Sequence, residues 1–181
     1  MSSVFKDALG GTFEQLPAGL QMLHTVNARQ VWRGTARVQR GRNLIAKAVA
    51  TLFRFPPAGD TLPVQVLQLP TASGERWIRT FGTHRFVSNL SRLPNAPAGE
   101  INEQFGLFRF KVGLHWDGTH LHYPVTGGQI FGIPIPHFVL PISDTRESET
   151  TNGSTRFDVS IALPLIGLLV RYQGNLQRME D

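Results

Sequence analysis

Beyond residue 60 apolar and polar residues alternate through most of the chain, and glycines interrupt the alternation at intervals. A period of two puts every second side chain on one face, the mark of a half-buried strand. It predicts strands at Leu62–Leu69, Glu75–Phe81, His84–Leu90, Leu107–Trp116, Thr119–Val125, Thr145–Thr151, Ser154–Leu163 and Leu165–Tyr172. Gln30–Gln39 alternates too, with Trp32, Ala36 and Val38 inward and Arg33, Thr35 and Arg37 outward. The period changes over Arg42–Phe53, where Leu44, Ile45, Ala48, Val49, Leu52 and Phe53 recur at helical spacing until Pro56 and Pro57. Phe5–His24 reads as short helices broken at Gly10-Gly11 and near Pro17. Gly99–Gly106 reads as a loop or short turn. Prolines 134, 136 and 141 keep Phe131–Pro141 out of any central strand and assign it to an edge or rim.

Three dipeptides carry hairpin signals: Gly82-Thr83, Asp117-Gly118 and Asn152-Gly153. A two-residue loop dictates which residues face each other and therefore which share a face. Around Gly82 it sets Phe81 opposite His84, Arg79 opposite Phe86, and Trp77 opposite Ser88. The other face holds Arg76, Ile78, Thr80, Arg85, Val87 and Asn89, so the aromatic face is the buried one. It takes Arg79, His84 and Ser88 inside or to a cavity rim. A buried guanidinium needs an anionic partner, for which Glu103 and Glu147 are the candidates. Three readings stay open for Arg79: a structural ion pair, a rim arginine lying over Trp77, or an anchor for an anionic ligand.

Around Asp117-Gly118 a two-residue loop pairs Trp116 with Thr119, His115 with His120, Leu114 with Leu121, and Val112 with Tyr123. Phe108, Phe110, Val112, Leu114 and Trp116 then form an apolar face with Leu121, Tyr123 and Val125. His115, His120 and His122 share the opposite face with Arg109 and Lys111. Three histidines can bind zinc, but two adjacent cations oppose it, and no metal site is expected. Around Asn152-Gly153 the same logic sets Glu149 opposite Arg156 and Glu147 opposite Asp158. The first is a surface salt bridge; the second would raise one carboxyl's pKa and could serve acid–base work, unless solvent or Arg146 relieves it.

Composition narrows the chemistry. With no cysteine among 181 residues, disulfides, thiolate metal sites and a cysteine nucleophile are excluded. No phosphate loop and no Gly-x-Ser-x-Gly elbow occurs, and no cofactor is expected. The net charge of +5 is concentrated: Gln15–Gly59 contains no acid, while Arg29, Arg33, Arg37, Arg40, Arg42, Lys47 and Arg54 are all basic. This basic segment, 29–54, either solvates a strand face or holds nucleic acid, anionic lipid or an acidic protein. Nucleic acid is disfavoured, because exposed aromatics are not interleaved with the basic residues. Met1–Gly10 lacks the apolar run of a signal peptide, and the longest apolar stretch, Leu163–Val170, is too short for a transmembrane segment. A cytoplasmic location is expected.

These patterns predict a single domain, 1–181, with a helical N-terminal segment, 1–28, and an antiparallel β body, 29–176. The fold class is mainly β: a strongly curved sheet or half-open barrel with one amphipathic helix packed on it. The first functional reading is a binding domain for a small hydrophobic or amphipathic anionic molecule. Trp77, Phe81, His84, Phe86, Ser88, Phe108, Phe110 and Tyr123 would line its cavity, with Arg79 at the anionic head. The second is a cofactor-free isomerase, cyclase or hydrolase using Glu103 as base and Arg79 to stabilise an oxyanion. The third is a protein-interaction module built on the basic strand.

Four segments, Trp77–Gly82, Glu103–Phe110, Ile133–Pro141 and Phe157–Leu176, carry a resemblance. Together they resemble an uncharacterised bacterial domain family, found alone or fused behind saccharopine-dehydrogenase-like NAD(P)-binding domains. The likeness runs from about Phe5 to Leu176. It implies no catalytic residues. It implies a domain working beside an NAD(P)-dependent reductase-like partner protein, which would be separate because this chain lacks the dinucleotide fingerprint.

Overall fold

The alternating segments pair into one antiparallel sheet of thirteen strands. In the computed structural model of the chain, residues 3–179 are described; Met1, Ser2, Glu180 and Asp181, part of the expected 1–181 extent, lie outside them. The strands are β1 Gln30–Arg40, β2 Gly59–Thr71, β3 Gly74–Phe81, β4 His84–Ser91, β5 Glu100–Phe105, β6 Phe108–Gly113 and β7 His115–Trp116. They continue as β8 Leu121–His122, β9 Val125–Ile130, β10 Ile133–Pro134, β11 Ile142–Glu149, β12 Thr155–Leu163 and β13 Gly167–Met179.

Across the sheet the order is β10-β9-β6-β5-β4-β3-β2-β1-β13-β12-β11-β8-β7. Its two ends belong to one stretch of chain. β6 passes into β7 through Leu114 alone, and β8 into β9 through Tyr123 and Pro124. Opposite edges are thus held together, and the sheet is rolled without closing into a barrel. The strands β1 and β13 approach closely: a Cβ on Gly34 would stand 1.8 Å from the Asn175 carbonyl oxygen, and one on Gly174 2.0 Å from that of Thr35. Only glycine fits there.

The antiparallel registers give the roll two ends. One end is sealed by the N-terminal segment: α1 Val4–Leu9, a 3₁₀ turn at Gly10–Gln15, and α2 Ala18–Leu23. Phe5, Phe13, Leu20, Leu23 and His24 are buried there. Polar contacts fasten this plug: Val4 N donates to Glu75 at 3.0 Å, Gly99 N to the Ala8 carbonyl at 2.8 Å, and Gly19 N to Glu149 at 3.1 Å. Burial pushes the Glu75 carboxyl up, only partly offset by hydrogen bonds from Trp77 Nε1 and Val4 N.

The other end collects the Gly82-Thr83 and Gly106-Leu107 turns, the start of β11, and the Pro164–Ile166 turn between β12 and β13. Across it lies α3, Leu44–Leu52, capped by the Asn43 side chain accepting from Ile45 N at 2.8 Å. Arg40 donates to the carbonyls of Phe55 and Pro56 and ties the chain beyond α3 back to β1. β10 and the proline-rich segment run along the sheet edge, as their prolines demand. Among the described residues no helix is long and apolar enough to cross a membrane.

Four local expectations need correction. Gly99–Gly106 is not a loop: Glu100–Phe105 is β5, paired on both sides, and Gly106-Leu107 makes a turn like that at Gly82. The Asp117 loop has four residues, because the Asp117 side chain accepts from Thr119 N and His120 N and so widens the turn. His115 therefore opposes His122, and Trp116 opposes Leu121, while Val112 opposes Val125. The Asn152 loop spans Thr150–Ser154, with Thr150 N donating to the Ser154 carbonyl at 2.8 Å. This moves the register by one: Glu147 opposes Phe157, Arg146 opposes Asp158, and Ser148 opposes Arg156. Finally, α3 buries only Ala46 and Ala50, with Val49 and Phe53 half-buried; Leu44, Ile45 and Leu52 of its apolar set are exposed.

Candidate functional site

The concave face of the roll encloses a cavity of about 430 Å³, within the range of small-molecule sites. Its walls follow from strand alternation. Trp77, Phe81, Phe86, Phe108 and Phe110 all face inward, as the hairpin register around Gly82 requires for the first three. α3 contributes Val49, Leu52 and Phe53 at the open end, where the Phe53 and Phe108 rings lie 4.5 Å apart. At the plugged end Phe5 and Tyr123 close the space. The lining is thus mostly apolar from mouth to floor, with Ser143 and Thr145 on the β11 wall and charged groups only deep inside.

Two polar clusters form that floor. In the first, Arg79 lies with its guanidinium 4.9 Å from the Trp77 ring and 5.7 Å from the Phe86 ring. Its Nη1 donates to Ser88 Oγ at 2.7 Å and to Glu103 Oε1 at 3.3 Å. Among the described residues its Nε and Nη2 donors have no hydrogen-bond acceptor. A guanidinium has five N–H donors in all, so Arg79, which lines the cavity, keeps donors beyond those two contacts.

In the second cluster, Glu147 Oε2 accepts from His24 Nε2 at 2.7 Å and also from the Tyr123 hydroxyl. His24 is fully buried, stacked on Phe5 at 3.9 Å and facing Trp77 at 5.7 Å; its carbonyl accepts from Ser3 Oγ. Burial alone would push the Glu147 carboxyl up, but the His24 ring and the hydrogen bonds from His24 and Tyr123 outweigh it and hold the carboxyl below the usual range. Tyr123 moves the other way: burial, reinforced by the neighbouring Glu147 charge, raises its hydroxyl well above the ordinary value of 10.0. Tyr172, also lining the cavity, is pushed up to about 12 by burial. The floor therefore offers cationic donors and two carboxylates within one low-dielectric space.

The sequence-predicted residues divide cleanly. Trp77, Arg79, Phe81, Phe86, Glu103, Phe108, Phe110 and Tyr123 all line the cavity. Ser88 is completely buried behind it and reaches it only through Arg79. His84 stands outside it, with Nε2 2.6 Å from the Arg54 carbonyl oxygen. His115, His120 and His122 sit at the hairpin tip, where Asp117 Oδ2 pairs with His122 Nε2 at 2.7 Å. That ring and the two backbone N–H groups hold the Asp117 carboxyl well below the usual range. His24 is the residue that sequence reasoning missed. Glu147 was seen as a candidate partner for Arg79, yet it pairs with His24 and Tyr123.

Comparison with known proteins adds one family. The family described as domain of unknown function DUF4166 matches residues 16–176, and the chain belongs to it. No curated protein and no solved structure matches.

Proposed function

We propose that this DUF4166 member binds a small amphipathic molecule, with the apolar body among the aromatic walls and a carboxylate or phosphate head at Arg79. The observation that carries the reading is the polarity gradient of the cavity: apolar walls lead to one polar floor, where Arg79 has donors to spare. A burial cost falls on any charge there without a partner, and Glu103 meets Arg79 through a single 3.3 Å contact. A ligand head can join that contact or replace it. The family resemblance adds an NAD(P)-dependent reductase-like partner and a bacterial source to the proposal, and the cysteine-free composition adds a cytoplasmic setting.

Arg79→Met tests it, since methionine keeps the apolar stem and removes the charge. The variant is expected to lose affinity for dansyl-labelled undecanoic acid while retaining a neutral probe, N-phenyl-1-naphthylamine. It should also lose about 1–3 kcal/mol of stability, because the neighbouring carboxylates lose their cation. Unchanged binding of both probes would remove Arg79 from the site.

One observation favours a second reading, a cofactor-free isomerase, cyclase or hydrolase: Glu103 and Arg79 face the same cavity in direct contact. Glu103 would serve as base and Arg79 would stabilise the developing oxyanion. This reading expects wild type to convert a component of a lipid extract, seen by mass spectrometry, that Glu103→Gln leaves unchanged. No wild-type conversion leaves binding as the function.

A further inference from the structure

Single exposed apolar side chains scatter over any protein surface, but clusters mark interaction sites. Here ten of the fourteen large hydrophobics exposed among the described residues gather at the open end of the roll. They come from α3, the Gly106-Leu107 turn, residues 131–142 and the Pro164–Ile166 turn. Leu44 is 80% exposed, Leu52 67%, Phe131 73% and Phe138 76%, while Leu165 is wholly exposed. Leu52 and Val139 also line the cavity, so this collar surrounds its mouth.

The charges of the collar are mostly cationic, and the two carboxylates that border it, Asp60 and Asp144, pair with Arg37 and Arg146. Residues 41–58, 105–113, 130–143 and 163–170 contain Arg42, Lys47, Arg54, Arg109 and Lys111 and no carboxylate. Arg42, Lys47 and Arg54 are exposed beside the apolar face of α3. We infer that this end docks on an anionic lipid bilayer, with the collar in the interfacial region and these three cations at the headgroups. The combination of an apolar edge and adjacent cations is what such a surface selects. A second copy fits poorly, because a two-fold contact sets these cations against their own kind, and the carboxylates that border the rim, Asp60 and Asp144, already pair with Arg37 and Arg146. The docking does not depend on the ligand reading, although it would place the cavity mouth against the lipid.

The absence of native cysteine permits single-site labelling. Leu165→Cys and Leu93→Cys, the latter exposed on the β4–β5 loop near the plug, would each carry an NBD fluorophore. With phosphatidylcholine–phosphatidylserine vesicles, the label at 165 is expected to brighten and shift to the blue, and the label at 93 to remain unchanged. Arg42→Glu/Lys47→Glu should weaken vesicle binding about tenfold or more, since each cation is worth about fivefold, and added salt should weaken it likewise. No response at 165, or an equal response at both labels, would overturn the inference. So would a dimer in sedimentation that Phe138→Asp/Leu165→Asp dissociates, with no binding to vesicles.

Discussion

Glu147 stands opposite Phe157 across the β11–β12 ladder, so its carboxylate shares the inner face with that ring. The consequence is chemical. An acid that would otherwise lie in solvent is held 2.7 Å from His24 Nε2, at the boundary between plug and cavity. It therefore couples the seal of the roll to the polarity of its floor.

Because its folded pKa lies below the ordinary 4.5, Glu147 contributes stability that is complete above that value. The contribution is lost as pH falls through the folded value. Glu147→Gln is expected to cost about 1–3 kcal/mol near neutral pH, the worth of a hydrogen bond to a charged group. Urea unfolding across the acid range should show the gap to wild type narrowing below pH 4.5. A gap of constant size would mean that Glu147 is not ionised in the fold.

The two tyrosines of the chain, Tyr123 and Tyr172, both face the cavity with raised pKa values. The fold favours their neutral forms, so stability from these groups is complete below the ordinary 10.0 and is lost as pH rises toward the folded values. Ultraviolet difference titration should show no phenolate around pH 10, and then both tyrosines ionising together as near-ultraviolet dichroism disappears. One tyrosine titrating near 10 with the fold intact would contradict the sealed floor.

At Gly34 and Gly174 the facing backbone of β1 and β13 leaves no room for a Cβ. In Gly34→Ala the new methyl meets backbone, which cannot swing aside as a side chain can. A loss of about 2–3 kcal/mol is expected, in the range of overpacked sites. Denaturant unfolding gives the value; a neutral substitution would mean that the two strands separate readily.

How much of this was legible depended on turns. Gly82 has φ +58, and its two-residue turn made the pairing of Arg79 with Phe86 readable from sequence, and with it the aromatic wall. At Asp117 and Asn152 side-chain hydrogen bonds lengthen the loops. The first shift is even and keeps the faces; the second is odd and moves Glu147 inside. β5 stayed hidden because Asn102, Glu103 and Gln104 have weak strand propensity, and neighbours on both sides make the strand. His24 lay beyond local reasoning: it ends a short helix, and its partner is 123 residues away. The helical period of α3 was readable, but which part of its apolar stripe is covered depends on a sheet that no local pattern describes.

The central claim is that the cavity itself takes the ligand. Thr145 and Val159 are cross-strand neighbours on β11 and β12 and line the same wall of the cavity, between floor and mouth. Thr145→Trp adds bulk where there is space and spares Arg79, the plug and the collar. Titration with dansyl-labelled undecanoic acid should show saturable one-to-one binding to wild type. The well-folded variant is expected to show none. Equal binding to both proteins would put the probe outside the cavity and contradict the account.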